Sequence, residues 1–418
     1  MKCELGCSQL FFSGVCVLFL MVWQISLQCI GAIASGILFF LWYRLGIDEK
    51  KKLWRLYGWF TGCSCLGSVF GIAAVCSQIQ YARSNIEFSE SAALKSAEAY
   101  FWYSESSKWE SITEVPDALQ MLLISVPLLM VLDRLIHLAF STAGSLSSSW
   151  VKAKRVAVGI VFGLHTVSIC FSAASSFYSS QEVPILLKIR AAFIANDTAT
   201  ATALDDDFYS VTLKTGLAQS AMLISQGVSF VFMAAVFTAV FIVCFRRIRE
   251  IKQFAVRKGT SMQQMRIPSV DQHQDDVDSS QTVIVVGNTA HRVSTHDAQR
   301  VYAQLRSFIT DVQSQIVITV VVVFIMLVWI AICLLVDGIS EAANNVCNAA
   351  NQDFQTGSYC NPCENSYSHI QDWLSLSPEF TVLSTYIPGQ LAVFVALWGM
   401  TSKAMFQSMK GQRQPTAF

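Results

Sequence analysis

Apolar positions in this chain are gathered into seven long runs, at about 20–43, 57–82, 118–140, 156–178, 216–244, 315–336 and 380–400. A run of about twenty residues crosses a hydrocarbon core of roughly 30 Å as a helix. The pattern therefore predicts an all-α membrane protein, a seven-transmembrane helix bundle. Apolar character in the first run extends from Leu10 to Tyr43, longer than one upright helix needs. Ala32-Ile33-Ala34 suits signal-peptide cleavage, yet a cut there leaves about nine residues before Arg44, too few to span. The expectation is an uncleaved first helix with a tilted or interfacial N-terminal turn.

Polar positions set the orientation. Arg44, Lys50, Lys51, Lys52 and Arg55 follow run one. Lys152, Lys154 and Arg155 follow run three, Arg246, Arg247, Arg249, Lys252, Arg257 and Lys258 follow run five, and Lys403, Lys410 and Arg413 follow run seven. The intervening loops are acidic, with Glu87, Glu90, Glu98, Glu105, Glu110, Glu114 and Asp117 after run two and Asp205, Asp206 and Asp207 after run four. They also hold Arg83, Lys95, Lys108, Lys188, Arg190 and Lys214, whereas the loop after run six has no Lys or Arg. The positive-inside rule then places the N-terminus outside and the C-terminus in the cytoplasm. The expected organisation is spans one to five over 1–245, a cytoplasmic loop over 246–313, spans six and seven over 314–400 with a Cys-containing outer loop, and a tail over 401–418.

Within the outer loop after run two, 89–103 is rich in Ala, Glu and Lys and reads as a short separate helix. Its end, Phe101-Trp102-Tyr103, with Trp109 beyond, suits an interfacial aromatic belt. In the inner loop, 259–280 is polar and aperiodic and reads as disordered. The β-branched run 283–286 is too isolated to build a domain. Val301, Leu305 and Phe308 recur at helical spacing, so the sixth helix should begin well before its apolar run.

Composition agrees with a membrane protein: 53% of residues are hydrophobic and 14% charged. The formal net charge is zero, so nothing argues for a nucleic-acid partner. Most of the thirteen cysteines lie in apolar runs as small hydrophobes. Cys347, Cys360 and Cys363 share the last outer loop with His369. Their spacing resembles a zinc ligand set, but outside the cell disulfides are the commoner fate of such thiols. The pairing is open, with Cys3 or Cys7 available as a fourth partner. Cys244 beside Arg246 and Arg247 is a palmitoylation position or simply buried. Asn196-Asp197-Thr198 is a glycosylation sequon in an outer loop, making Asn196 the candidate acceptor.

Few ionisable groups fall inside the apolar runs. Asp133-Arg134, with His137 a turn later, is the main case, readable as a switch or as an anchor at the inner boundary. His165 stands alone in run four, where an interhelical hydrogen bond is the simpler account. Uncharged polar groups gather in the halves nearer the outside: Gln120 and Ser125, Gln219 and Gln226, and Ser384, Tyr386 and Gln390. Pro127 and Pro388 should kink their helices nearby. These residues either line a pocket or bond helix to helix. Gly67-x-x-x-Gly71 fits close helix packing. No P-loop, hydrolase elbow, His-rich metal set or internal repeat occurs, which predicts neither an enzyme nor a cofactor.

Seven spans, an outside N-terminus, a glycosylatable second outer loop, Asp133-Arg134 toward the inner end of span three and a long third inner loop resemble the layout of G-protein-coupled receptors. The motifs depart from it. Leu135 stands where the rhodopsin-like class has an aromatic residue, and the Cys of that class near the outer end of span three is absent. Trp329 has no proline near it, Tyr386-Ile387-Pro388 replaces Asn-Pro-x-x-Tyr, and no Lys lies mid-span in run seven. The resemblance implies a receptor-like protein that passes an extracellular or luminal signal through inner loops to a cytosolic signalling partner. The alternatives are a transporter or channel, or a membrane scaffold. Ser261, Ser269 and Ser294, each near a basic residue, are candidate phosphoacceptors. The bilayer of the plasma membrane or another secretory-pathway membrane is the expected surrounding, and the ligand is not written in the sequence.

Overall fold

The computed structural model describes residues 6–45, 52–93, 97–141, 148–264, 281–286 and 289–350, with Pro388, Leu391, Ala392 and Val395 beyond them. The elements are α1 (Gly6–Leu45), α2 (Lys52–Ala93), α3 (Glu98–Ser141), α4 (Ser148–Ile194), α5 (Thr198–Gln264), β1 (Gln281–Val286), β2 (Thr289–Ser294) and α6 (Thr295–Ala350). Six stretches are long and apolar enough to cross a membrane: Met21–Arg44, Gly58–Ala92, Glu98–Asp133, Val151–Ile194, Thr198–Val243 and Val317–Ala343. The expected seven are thus six among the described residues. The run at 380–400 falls outside them apart from four residues with helical backbone.

The helices outlast their apolar runs, and this corrects two expectations. Residues 89–93 continue α2 and 98–103 open α3, so the separate helix over 89–103 does not form. Helix α5 carries on through 259–264, a stretch expected to be disordered, because Ser, Met and Gln there tolerate helix once a preceding helix supplies the nucleus. The bundle is all-helical as expected, and 283–286 builds no domain: β1 only pairs antiparallel with β2 in a two-stranded hairpin, from Gln281↔Ser294 to Val286↔Thr289. As expected, α6 starts at Thr295, well before its apolar stretch.

Two compact units divide the chain. One comprises Met1–Val131, Ser147–Val236 and Val322–Leu397, the other Leu132–Leu146, Phe237–Val321 and Trp398–Phe418. In the first, consecutive helices run antiparallel and small residues let them approach. A Cβ on Gly71 of α2 would lie 2.6 Å from the Gln28 amide of α1, and one on Gly67 would lie 3.2 Å from Leu123 Cβ of α3. The two glycines therefore serve different neighbours. On α5, a Cβ at Gly227 would lie 2.7 Å from Leu335 of α6. Between α2 and α3, Ser106 donates to Asn85 Oδ1 at 2.6 Å and Thr113 to Ser77 Oγ at 2.9 Å.

An apolar tier lies deep in this unit, where Leu128, Val161, Phe230, Met233, Leu327 and Ile330 are fully buried. On the opposite face of α4, Ile160, Val167, Phe171 and Phe177 are exposed, as lipid-facing side chains are. Helix α5 opens on a cap: Asp197 accepts the Thr200 N–H at 3.1 Å and the Thr200 hydroxyl at 2.6 Å. These bonds hold the Asp197 carboxyl below its ordinary range.

Candidate functional site

Helix α4 presents a seam to its neighbours with a repeat of seven: Val161, His165, Ser168, Ser172, Ser175, Ser179, Glu182, Leu186 and Ile189, all buried. A step alternating three and four residues keeps one narrow face turned inward. Hydroxyls on such a face suit a membrane, where they bond a neighbouring helix and allow close approach. Ser179 donates to the Ser107 carbonyl at 2.8 Å, and Ser176, beside the seam, to the Ser111 carbonyl at 2.6 Å. Lower down, Ser125 Oγ and His165 Nε2 lie 2.7 Å apart, and the imidazole meets the Phe230 ring edge-on at 5.9 Å.

Glu182 ties three helices. Its Oε2 accepts from Ser107 of α3 at 2.8 Å and its Oε1 from Thr215 of α5 at 3.0 Å. Further carboxylates stand around it. Glu110 is close enough to interact electrostatically with Glu182 and with Glu341 of α6, and Glu114 with Glu110, Asp117 and Glu341. Asp337, one turn from Glu341 on α6, interacts with it in turn. Asn345 donates to Glu341 Oε1 at 3.2 Å. No Lys or Arg occurs at 109–133, 156–187 or 307–350, the stretches of α3, α4 and α6 that carry these acids, while Lys108 and Lys214 adjoin Ser107 and Thr215, the two donors to Glu182. Carboxylates taken out of water need a counter-charge or protons to be tolerated.

Aromatic rings stand at the Glu110 end. Tyr103 stacks on Phe88 with centroids 4.9 Å apart and meets Phe208 edge-on at 5.6 Å. At the opposite end, beyond Asp117, the lining becomes uncharged. Gln120 of α3 and Gln226 of α5 are fully buried, and neither amide has a hydrogen-bond partner among the described residues. The same holds for Gln24 and Gln28 of α1 and for the hydroxyls of Ser168 and Ser172. Ser175 sits beside Glu114, fully buried and without a hydrogen bond of ordinary geometry. Unpartnered buried amides are costly, about 1–3 kcal/mol each, so a bundle that keeps them has a use for them or fills them with water.

Of the pocket residues expected from sequence, Gln120, Ser125 and Gln226 are buried in this unit and Gln219 is half-buried. Tyr386 and Gln390 lie outside the described residues. Asp133 is half-buried; Arg134 and His137 are on α3, their side chains outside the description. Cys347 is on α6 and Ser261 on α5, with side chains undescribed, Ser294 ends β2, and Cys360, Cys363 and Ser269 lie outside the described residues. Asn196 is exposed, with φ of 57° in the turn between α4 and α5.

Sequence reasoning missed the carboxylates by assigning Glu110, Glu114, Asp117, Glu182, Asp337 and Glu341 to loops or leaving them aside. Their spacing was the available signal: 110, 114 and 117 share one face of a helix, as do 337 and 341. No known protein family, curated protein or solved structure matches this chain.

Proposed function

We propose that this multi-pass helical membrane protein binds a cationic ligand in the carboxylate-lined core of its helix bundle and, in the manner of a receptor, passes the bound state to a cytosolic partner. One observation carries the binding half: acidic side chains from α3, α4 and α6 approach one another, in stretches of those three helices (109–133, 156–187 and 307–350) that hold no Lys or Arg. The receptor half rests on the topology expected from loop charge, with the acidic core toward the outside and the basic stretch after 245 toward the cytosol.

Cation titration of the purified full-length chain in nanodiscs, followed by thermal unfolding, tests the binding half. An organic ammonium ligand should raise the melting temperature, and Glu114→Gln should remove the rise. Unchanged melting with every cation class sinks the proposal. Co-purification of a heterotrimeric G protein or arrestin tests the coupling half, which fails if neither associates and deletion of 246–280 leaves the cellular response intact. Glycosylation mapping tests the orientation: Asn196 should be modified and a sequon engineered into 265–280 should not.

A transporter is the second reading, favoured by the polar α4 seam that continues below the carboxylates from Ser175 to His165. Cation flux into proteoliposomes, lost in His165→Leu, would favour transport over signalling.

A further inference from the structure

We infer that an uncharged polar layer across α1 to α5 binds a small neutral polyol, a short carbon chain bearing several hydroxyl groups. The layer includes no carboxylate and is independent of the cation-binding proposal.

Helix register brings the layer together. On α4, Glu182 bonds both Ser107 of α3 and Thr215 of α5, and His165 meets both Ser125 of α3 and Phe230 of α5. The buried face of α4 between these two residues is therefore turned to the groove between α3 and α5. Ser168 and Ser172 share that face, about 4.5 and about 10.5 Å from His165 towards Glu182 at the rise of an α-helix. Gln226 shares the face of α5 that carries Thr215 and Phe230, about 6 Å from Phe230 in the same direction, and so comes level with the two serines. Gln120 of α3 is about 7.5 Å from Ser125, again in that direction. It is also one seven-residue step from Thr113, which bonds Ser77 of α2. A Cβ on Gly67 of α2 would touch Leu123 of α3. Measured from that contact towards Ser77 and Thr113, Gly71 stands about 6 Å up and Gln120 about 4.5 Å. The Gln28 amide of α1 packs over Gly71, which adds a third glutamine to the same level.

These side chains are sealed and unsatisfied. Gln28, Gln120, His165, Ser172 and Gln226 are 0% exposed and Ser168 1%. Neither atom of the three amides, neither serine hydroxyl and not His165 Nδ1 has a hydrogen-bond partner among the described residues. The direction of one bond fixes what the imidazole needs. Ser125 donates its single hydroxyl hydrogen to the Met121 carbonyl at 2.9 Å, so its oxygen accepts from His165 Nε2 at 2.7 Å. In an uncharged ring Nδ1 is then a bare acceptor.

This inventory selects the ligand. Amides and hydroxyls both donate and accept, and Nδ1 accepts. An ammonium only donates and would leave the amide hydrogens unmet. A carboxylate or phosphate only accepts and would leave Nδ1 and the amide oxygens unmet. Hydroxyl groups do both, and several on one chain match several such groups at one level. Unbonded buried amides disfavour the closed packing, so a polyol that enters as α4 parts from α3 or α5 is held by the bonds this packing lacks.

Equilibrium binding of radiolabelled glycerol, erythritol and mannitol to the full-length chain in nanodiscs tests this. At least one should bind saturably and resist competition by n-butylammonium and by acetate. Gln120→Leu and Gln226→Leu should each weaken that binding at least tenfold. Without polyol both should melt no lower than the parent, because each removes an amide that bonds nothing in the closed bundle. Ser26→Ala, at an exposed hydroxyl bonded to the Val22 carbonyl of its own helix, should leave binding unchanged. If no polyol binds saturably, the layer holds water alone and the inference falls. It also falls if n-butylammonium or acetate displaces the polyol, or if both leucine variants melt below the parent, since the amides would then serve to bond helix to helix.

Discussion

Two tiers of the same helix bundle hold together on different principles. Around Phe230, Met233, Leu128, Val161, Leu327 and Ile330 the interior is apolar and fully buried. Around Glu182, Glu110, Glu114 and Glu341 it is acidic, with hydrogen bonds joining α3, α4 and α5 through one carboxylate. In lipid the apolar tier gains little from leaving its surroundings, since the hydrocarbon is as apolar as the core, and shape complementarity has to hold it. The acidic tier is oriented by directional bonds between helices. Under the proposed function, recognition belongs to the second tier and stability mainly to the first, and substitutions should separate the two.

The largest stability effect is expected for Phe230→Ala, which opens a cavity against His165 at a fully buried position. A loss of about 3 kcal/mol should appear as a lowered melting temperature in detergent, with cation binding retained in the folded fraction. Next comes Glu182→Ala, which strips the acceptor from Ser107 and Thr215. It should cost about 1–2 kcal/mol, and, unlike Phe230→Ala, it should also weaken cation binding. If both variants lose stability and binding in the same proportion, the separation between tiers is wrong. Ser172→Ala removes a buried hydroxyl with no recorded partner, so its melting should stay within about 0.5 kcal/mol of the parent. A larger loss would mean that the seam carries bonded water.

The smallest effect belongs to Asp197 at the exposed start of α5. Its carboxyl titrates below its ordinary range because it is bonded to Thr200. The stabilisation is therefore full above the unfolded-state value and lost as pH falls through the lowered folded value. Amide exchange at the first turn of α5 should speed up in acid, and in Asp197→Ala it should be fast at every pH.

Much of the fold was legible in the hydropathy of the chain, because an apolar run of twenty residues in lipid has few options other than a helix. The ends of the helices were not. Hydropathy marks where a helix touches lipid, whereas α3 continues upward through Glu114 and Glu110 against α4 and α6. A charged residue flanking an apolar run looks the same whether it meets water or another helix, so the carboxylates were assigned to loops. Gln120, Ser125 and Gln226 stood out because they are polar within apolar runs. Whether an amide bonds a neighbour or stands unbonded depends on helix register, which one chain's hydropathy does not encode. The seven-residue repeat from His165 to Glu182 was open to view but was masked by the apolar residues on the rest of α4.

That repeat has a consequence for how the protein is made. Helix α4 would enter lipid with a strip of hydroxyls and one carboxylate uncovered if it crossed alone, at a penalty for each. Helix α3 precedes it by six residues and offers the carbonyls of Ser107 and Ser111 to that strip. The two are therefore suited to leave the translocon as a closed hairpin, zipped along the serine strip, with the rest of α4, including Ile160, Val167 and Phe171, turned to lipid. Membrane insertion of α4 should consequently depend on the strand of synthesis just before it, making the α3–α4 pair, rather than the single helix, the unit of biogenesis.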